Sequence, residues 1–407
     1  MIKNHIIFND ASDWIFDFNK AKECFIWTKE GKRLIDFTSA WNVTNLGWNN
    51  PEVLQAIKKQ VGVNTQTILW SGEETQIKYT KALTSALPKA LNTIARTTGG
   101  TEANEMALKT ARAFTGRKKI VGFKDTYHGE SFGAMAIGYR PEYVESIAPL
   151  VPNFVQIDFP RVLKTENEKQ TLSKFKTLLE GILKNEDVAG IVTEAGIITG
   201  WGSTFVAPNG YLKAVRDLIQ KYGTLLILDE VGTGFSRCGK LFGMELENVI
   251  PDIVTLAKAQ TNGSVTMGTM VTTEKIANKT LGKNNLTSTL GWSPIACAAA
   301  LKTLEIHQRE QVWKKAEKDG KYILNLLTKK LKSNPKVIEV RGKGMEIGLE
   351  LKDNRTAQLV VKKAFEKGLH LIVGDGGNIQ IMPPLIIKRE LLDEGLNILL
   401  KVIDSVV

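Results

Sequence analysis

A chain of 407 residues, 43% hydrophobic and 24% charged, is long enough for one large core plus a smaller one and has the composition of an ordinary globular protein. No apolar run approaches the ~20 residues that span a bilayer, and residues 1–14 mix Lys3, His5, Asp10 and Asp13 with short apolar stretches, so a cytoplasmic protein with no membrane partner is expected. The net charge of +11 is spread along the chain without a Lys/Arg block interleaved with aromatics, which reads as solvated surface and argues against a nucleic-acid partner.

Strand 33–37 comes first. From residue 91 to 272, short β-rich runs alternate with helical patterns: strands are expected at 93–97, 120–123, 188–194, 224–229, 252–257 and 269–272, and helices at 101–114, 170–184 and 211–221. This is the βαβ signature of a mostly parallel sheet covered by helices. The last of these helices carries Leu212, Val215, Leu218 and Ile219, the stripe of a core-facing surface. A long helix near 294–307 links this part to an α+β unit. That unit has two strands around Gly342 and Gly344, a helix at 356–367, a strand at 379–382 ending at Pro383-Pro384, and a last helix from Arg389. The fold class is therefore α/β. Residues 51–290 form the large domain, with 1–50 and 291–407 the two parts of a small α+β domain. Cys24, Cys238 and Cys297 are scattered, with no C-x-x-C pair, which fits reduced thiols and no metal site.

Three segments carry chemistry. In Thr98-Gly99-Gly100-Thr101-Glu102-Ala103-Asn104-Glu105, glycines between strand and helix let backbone N–H groups approach a phosphate; a plain turn capped by Thr101 is the equal alternative. Asp229 ends a buried strand, where open α/β sheets bind ligands. A buried carboxylate needs a partner, and a pyridinium ring nitrogen is one; capping the next turn is the alternative. Lys258 also follows an apolar strand, where desolvation would lower its pKa and suit it to Schiff-base chemistry, although one lysine among many reads by itself as surface. Glu194, Asp229 and Lys258 each end a separate run about one βα unit apart, so all three can converge on one sheet edge.

With G-T-E-A-N-E at 100–105, Y-H-G at 127–129, D-E-V-G-T-G-F-S-R at 229–237, P-D-I-V-T-L-A-K at 251–258, S-T-L-G at 288–291 and P-P-L at 383–385, the chain resembles the class III aminotransferases of pyridoxal 5′-phosphate (PLP) fold type I. The resemblance implies PLP as cofactor, Lys258 as the Schiff-base lysine and catalytic acid–base, and Asp229 as partner of the ring nitrogen. By the same resemblance Gly100 and Thr101 cradle the phosphate and Tyr127 stacks on the ring, with His128 beside it. Val231 packs on the other face, and Glu194 supports Asp229. Ser288 and Thr289 reach the phosphate of a neighbouring subunit, which implies a homodimer with shared sites. The implied activity is transfer of an amino group from a primary amine or ω-amino compound to an oxo acceptor; a lyase or aminomutase on the same scaffold is the alternative.

Four positions depart from the family pattern. Gln380 stands where many members carry a carboxylate-gripping Arg, Thr199 where its Glu partner stands, and Glu130 where some glutamate users carry another Arg. Gly232 replaces the usual Gln of D-E-V-Q. Arg140 is a candidate stand-in for the missing cation. Trp41 and Trp70, with Trp48 and Trp292, read either as core or as walls of an aromatic pocket for a bulky or cationic amine, which Glu130 would suit.

Overall fold

The computed structural model describes residues 15–162 and 167–406 and the strand pairs 2–3 and 6–7; the rest of the N-terminal stretch 1–14 lies outside the described residues. Two short strands, β1 (Phe25–Trp27) and β2 (Arg33–Asp36), pair antiparallel. The dominant sheet follows, from β3 (Thr93–Thr97), β4 (Lys119–Phe123), β5 (Phe154–Ile157), β6 (Val188–Glu194), β7 (Leu225–Asp229), β8 (Ile253–Leu256) and β9 (Gly268–Thr272). Its order is β3-β9-β8-β7-β6-β4-β5. Only β9 runs antiparallel to its neighbours, while β8, β7, β6, β4 and β5 are mutually parallel. Every residue of β6 and β7 is buried, as a sheet covered on both faces requires, and this is why those runs are continuously apolar rather than alternating.

Helix α1 (Pro51–Val61) starts under the Asn50 cap, and α2 (Glu74–Ala86) under Glu73. Helices α3 (Gly100–Thr115), α4 (Glu168–Leu183) and α5 (Tyr211–Tyr222) cover the sheet. On α5 the stripe Leu212, Val215, Leu218 and Ile219 is buried as its spacing demands, and Gly223 ends the helix in the left-handed region at φ +62°.

Helix α6 (Pro294–Arg309) supplies Ala296, Cys297, Ala300 and Leu304 to the core of the large sheet, and Ala299 and Ile306 to a second core. That second core is filled by α7 (Val312–Leu331), α8 (Asn354–Glu366) and α9 (Arg389–Ser405) around a four-stranded sheet. This sheet contains β10 (Val337–Lys343), β11 (Glu346–Leu351), β13 (Ile372–Val373) and β14 (Asn378–Ile381), in the order β10-β11-β14-β13. Between them β12 (Leu369–His370) pairs parallel with β2, so the N-terminal strand does join the C-terminal unit. Val53 of α1 packs in the same second core.

One boundary differs from expectation in a way that matters. The strand expected at 252–257 stops at Leu256, because Ala257 leaves the strand region (φ −164°, ψ −147°) and Lys258 turns left-handed at φ +47°. A left-handed non-glycine residue costs about 1–2 kcal/mol, and here it lifts Lys258 off the sheet into the cleft above.

Candidate active site

Strands β6, β7 and β8 lie side by side, with Asp229 in register with Glu194 on one flank and Thr255 on the other. The convergence inferred from spacing is therefore a consequence of the strand order. Above their carboxyl ends lies a cleft of about 360 Å³, lined by Thr98–Thr101, Asn104, Tyr127–Gly129, Glu194, Asp229, Val231, Lys258 and the loop around Gly263 and Met267. Burial lowers the pKa of the Lys258 amine, against the opposing pull of Glu194, Asp229 and Glu346. The direction favours a neutral, nucleophilic amine.

Asp229 is the most heavily fastened group. Burial pushes its pKa up, but the His128 ring, the Val231 N–H and Asn104 outweigh this and hold it below the usual 3.8. His128 Nδ1 lies 2.7 Å from Oδ2, Asn104 Nδ2 donates to the same oxygen at 2.8 Å, and the Val231 N–H donates to Oδ1 at 2.9 Å. Asn104 is itself fixed by the Thr255 hydroxyl, which donates to its Oδ1 at 2.7 Å. A carboxylate kept anionic in this way retains lone-pair capacity on Oδ1 for one more donor.

The glycine-rich segment meets the other requirement. Helix α3 begins at Gly100, and Gly99 supplies no side-chain cap, so the first N–H groups have no intrahelical acceptor, and Gly99, Gly100 and Thr101 line the cleft. Gly129 lines the same cleft. It sits at φ +130°, and a Cβ there would come within 2.3 Å of Thr101 Oγ1, so only glycine fits.

Glu194 is handled differently from Asp229. It accepts from the Thr199 N–H at 2.9 Å and the Thr199 hydroxyl at 2.5 Å. Burial and then the neighbouring Asp229 charge nevertheless raise its pKa from 4.5 to about 7. Thr199 in turn explains Gly232, because a Cβ at Gly232 would stand 2.1 Å from Thr199 Oγ1. The two departures at 199 and 232 are thus one steric unit.

Gly100, Thr101, Tyr127, His128, Glu194, Asp229, Val231 and Lys258 all line the cleft. The rest of the expected site does not. Ser288 is buried and donates to Glu102 Oε2 at 3.2 Å. Thr289 is exposed on the surface of its own chain. Trp70 is 82% exposed, and Trp292 is core, packed on Tyr79 with its N–H donating to the Gly268 carbonyl. Glu130 accepts from the Tyr139 hydroxyl at 2.5 Å. Arg140, the candidate stand-in cation, is paired with Asp125 and Asp375. Gln380 is fully buried, with its carboxamide donating to Glu346 Oε1 at 3.1 Å.

Sequence reasoning missed Asn104 as the fastener of Asp229, although it stands one turn into α3. It also missed Trp201, whose ring meets Tyr127 edge-on at 5.3 Å, and Glu346 with Asn42, for which no local motif exists.

An anion cradle at a helix start, a carboxylate held ionised with a free acceptor site, and an amine of lowered pKa fit one small molecule with matching parts: a phosphate, a pyridine nitrogen and an aldehyde. Those parts, on a mixed seven-stranded sheet, mark PLP enzymes of fold type I. The aminotransferase class-III family matches residues 7–403, and the chain belongs to that family; it is a PLP-dependent aminotransferase. The chain is 34% identical to the [LysW]-aminoadipate semialdehyde/glutamate semialdehyde transaminase of Sulfolobus acidocaldarius, over 93% of this chain and 92% of that one. It is 32% identical to an acetylornithine aminotransferase of Methanopyrus kandleri, over 91% and 90%. The crystal structure of taurine:2-oxoglutarate aminotransferase from Bifidobacterium kashiwanohense, in complex with PLP and glutamate, superposes with a TM-score of 0.91 at 28% identity, covering 98% of this chain and 95% of that one. The lyase and aminomutase alternative draws no support from these relatives.

Proposed function

We propose that this aminotransferase works through Lys258 and takes its amino group from a primary amine or ω-amino compound rather than from a common α-amino acid. The carrying observation is Gln380, which is neutral, fully buried and hydrogen-bonded to Glu346 where an Arg would grip a carboxylate. When bound, PLP supplies the aldehyde that accepts the amino group and the ring that draws electrons from the carbon bearing it. Asp229, held anionic by His128 and Asn104, would fix the ring nitrogen, and Thr98–Thr101 would hold the phosphate. Tyr127 and Val231 would bracket the ring. Lys258, whose amine pKa burial lowers, would move the proton at the substrate carbon.

The homodimer belongs to the same proposal: exposed Thr289 and its neighbour Leu290, 64% exposed, are available to a second subunit. So does the division at residues 50 and 290; the two hydrophobic cores support two units, although Val53 of α1 belongs to the second core and part of α6 to the first, across those bounds. The three buried free cysteines are compatible with a cytoplasmic setting.

Borohydride reduction of the PLP-loaded enzyme followed by peptide mass spectrometry should leave the cofactor mass on Lys258, and Lys258→Ala should lose turnover by about 10⁴-fold or more. An adduct on another lysine, or rapid amino transfer from glutamate, would overturn the assignment.

A further inference from the structure

Glu346 opens β11, is fully buried, and has no role in the chemistry described above. Among the described residues its two carboxylate oxygens accept from neutral groups: the Asn42 carboxamide at 2.7 Å and the Gln380 carboxamide at 3.1 Å. Arg237 bears on it electrostatically but makes no hydrogen bond to it: its Nη1 donates to the Met345 and Pro383 carbonyls and its Nη2 to Asn45, while its Nε has no hydrogen-bond partner. Both carboxamides are left with an unsatisfied oxygen: Asn42 Oδ1 and Gln380 Oε1 are buried, at 1% and 0% residue exposure, without a hydrogen-bond partner. The cluster therefore holds one carboxylate and two orphaned carbonyl oxygens, all acceptors. Unpaired buried acceptors and an unpaired buried charge are both costly, and one primary ammonium, with three N–H donors and a positive charge, answers all three.

The cluster borders the cleft. Asn42 precedes Val43, which lines it. A Cβ at Gly202, two residues beyond the cleft-lining Gly200, would lie 3.0 Å from Gln380 Oε1. Lys258 and Glu346 act on each other electrostatically across the intervening space. Asn42 closes the segment Ser39–Asn42, in which four successive non-glycine residues are left-handed, with φ between +47° and +66°. That strained backbone aims Asn42 at Glu346.

We infer that Glu346, Asn42 and Gln380 form a subsite for the distal ammonium of a terminal diamine, so that the enzyme selects amines whose far end is cationic. A substrate with a distal carboxylate meets Glu346 as a like charge. The inference rests on the aminotransferase reading and names its donor class.

The test uses the PLP-loaded enzyme, 1,4-diaminobutane and 1,5-diaminopentane, the monoamines of equal length, and the corresponding ω-amino acids. The diamines should surpass the monoamines in kcat/KM by at least about 30-fold, the low end for one buried charge pair. Glu346→Gln should remove most of that advantage, mainly through KM, and Gln380→Arg should also abolish it by placing a fixed cation beside Glu346. Calorimetric titration of the borohydride-reduced enzyme, which cannot turn over, should show diamine binding that Glu346→Gln weakens by a similar factor. Equal binding of diamine and monoamine, or discrimination that survives both substitutions, sinks the subsite and leaves the cluster to ordered water. Absence of amino transfer from any amine would refute the donor reading, while the titration still decides the subsite. Melting curves establish that each variant is folded.

Discussion

Gly232 shows how one residue can record another. Its missing side chain is matched to the Thr199 hydroxyl, which occupies the space a Cβ would need and donates to Glu194. Gly232→Gln should destabilise the protein by about 1–3 kcal/mol, the range for overpacking a close-packed site, measured by denaturant unfolding. Thr199→Ala in the same chain should recover part of the loss, a non-additivity expected of contacting residues. Glu194, Asp229 and Lys258 were legible in the sequence because each ends an apolar run. Asn104 and Glu346 were not, because each acts on a residue more than one hundred positions away, such as Asp229, 125 residues from Asn104. The tryptophans misled for a related reason. Composition marks them as large and amphipathic, but only packing separates core Trp292 from exposed Trp70.

At the scale of elements, apolar runs located the central strands of the large sheet and six of the helices, since burial on both sheet faces writes itself into continuous β-branched segments; helices α1, α2 and α7 and the strands β1, β5, β12 and β13 were not read from the sequence. What local signals missed is where elements touch. Helix α7 crosses the β10–β11 turn so closely that a Cβ at Gly320 would lie 1.8 Å from the Gly344 carbonyl oxygen. That turn sets the start of β11 and so the position of Glu346. Gly320→Ala gains about 1 kcal/mol of helix propensity yet should lower stability by roughly 2 kcal/mol or more. Because the turn must move, the variant should also lose diamine preference in the same kinetic assay. A stabilised variant would show that the turn yields without cost.

Across the whole molecule, the active-site carboxylates couple folding to pH. Glu194 is raised from 4.5 to about 7, so the folded state holds its proton more tightly than the unfolded state does. That stabilising share is complete below about pH 4.5 and is lost as pH rises through about 7. Asp229, held below 3.8, acts in the opposite sense and only in acid, where its contribution disappears as pH falls. Burial raises the Glu230 carboxyl to about 7 as well, so thermal unfolding should show stability dropping between pH 5 and 8 by at least about 1–3 kcal/mol, and Glu194→Gln should reduce the slope while leaving the Glu230 share. A slope unchanged in that variant would place the titration elsewhere.

The sequence alone determined most of the elements, the α/β class with a mostly parallel sheet, and the family to which the cradle, the aspartate and the lysine point. These rest on local pattern: the period of apolar residues, the chemistry of caps, and short motifs whose spacing matches one structural unit. Tertiary structure alone decided how Asp229 is kept ionised, why 199 and 232 change together, and that a buried carboxylate stands behind Gln380. Those outcomes depend on close packing and desolvation between residues far apart in the chain, and neither leaves a periodic trace.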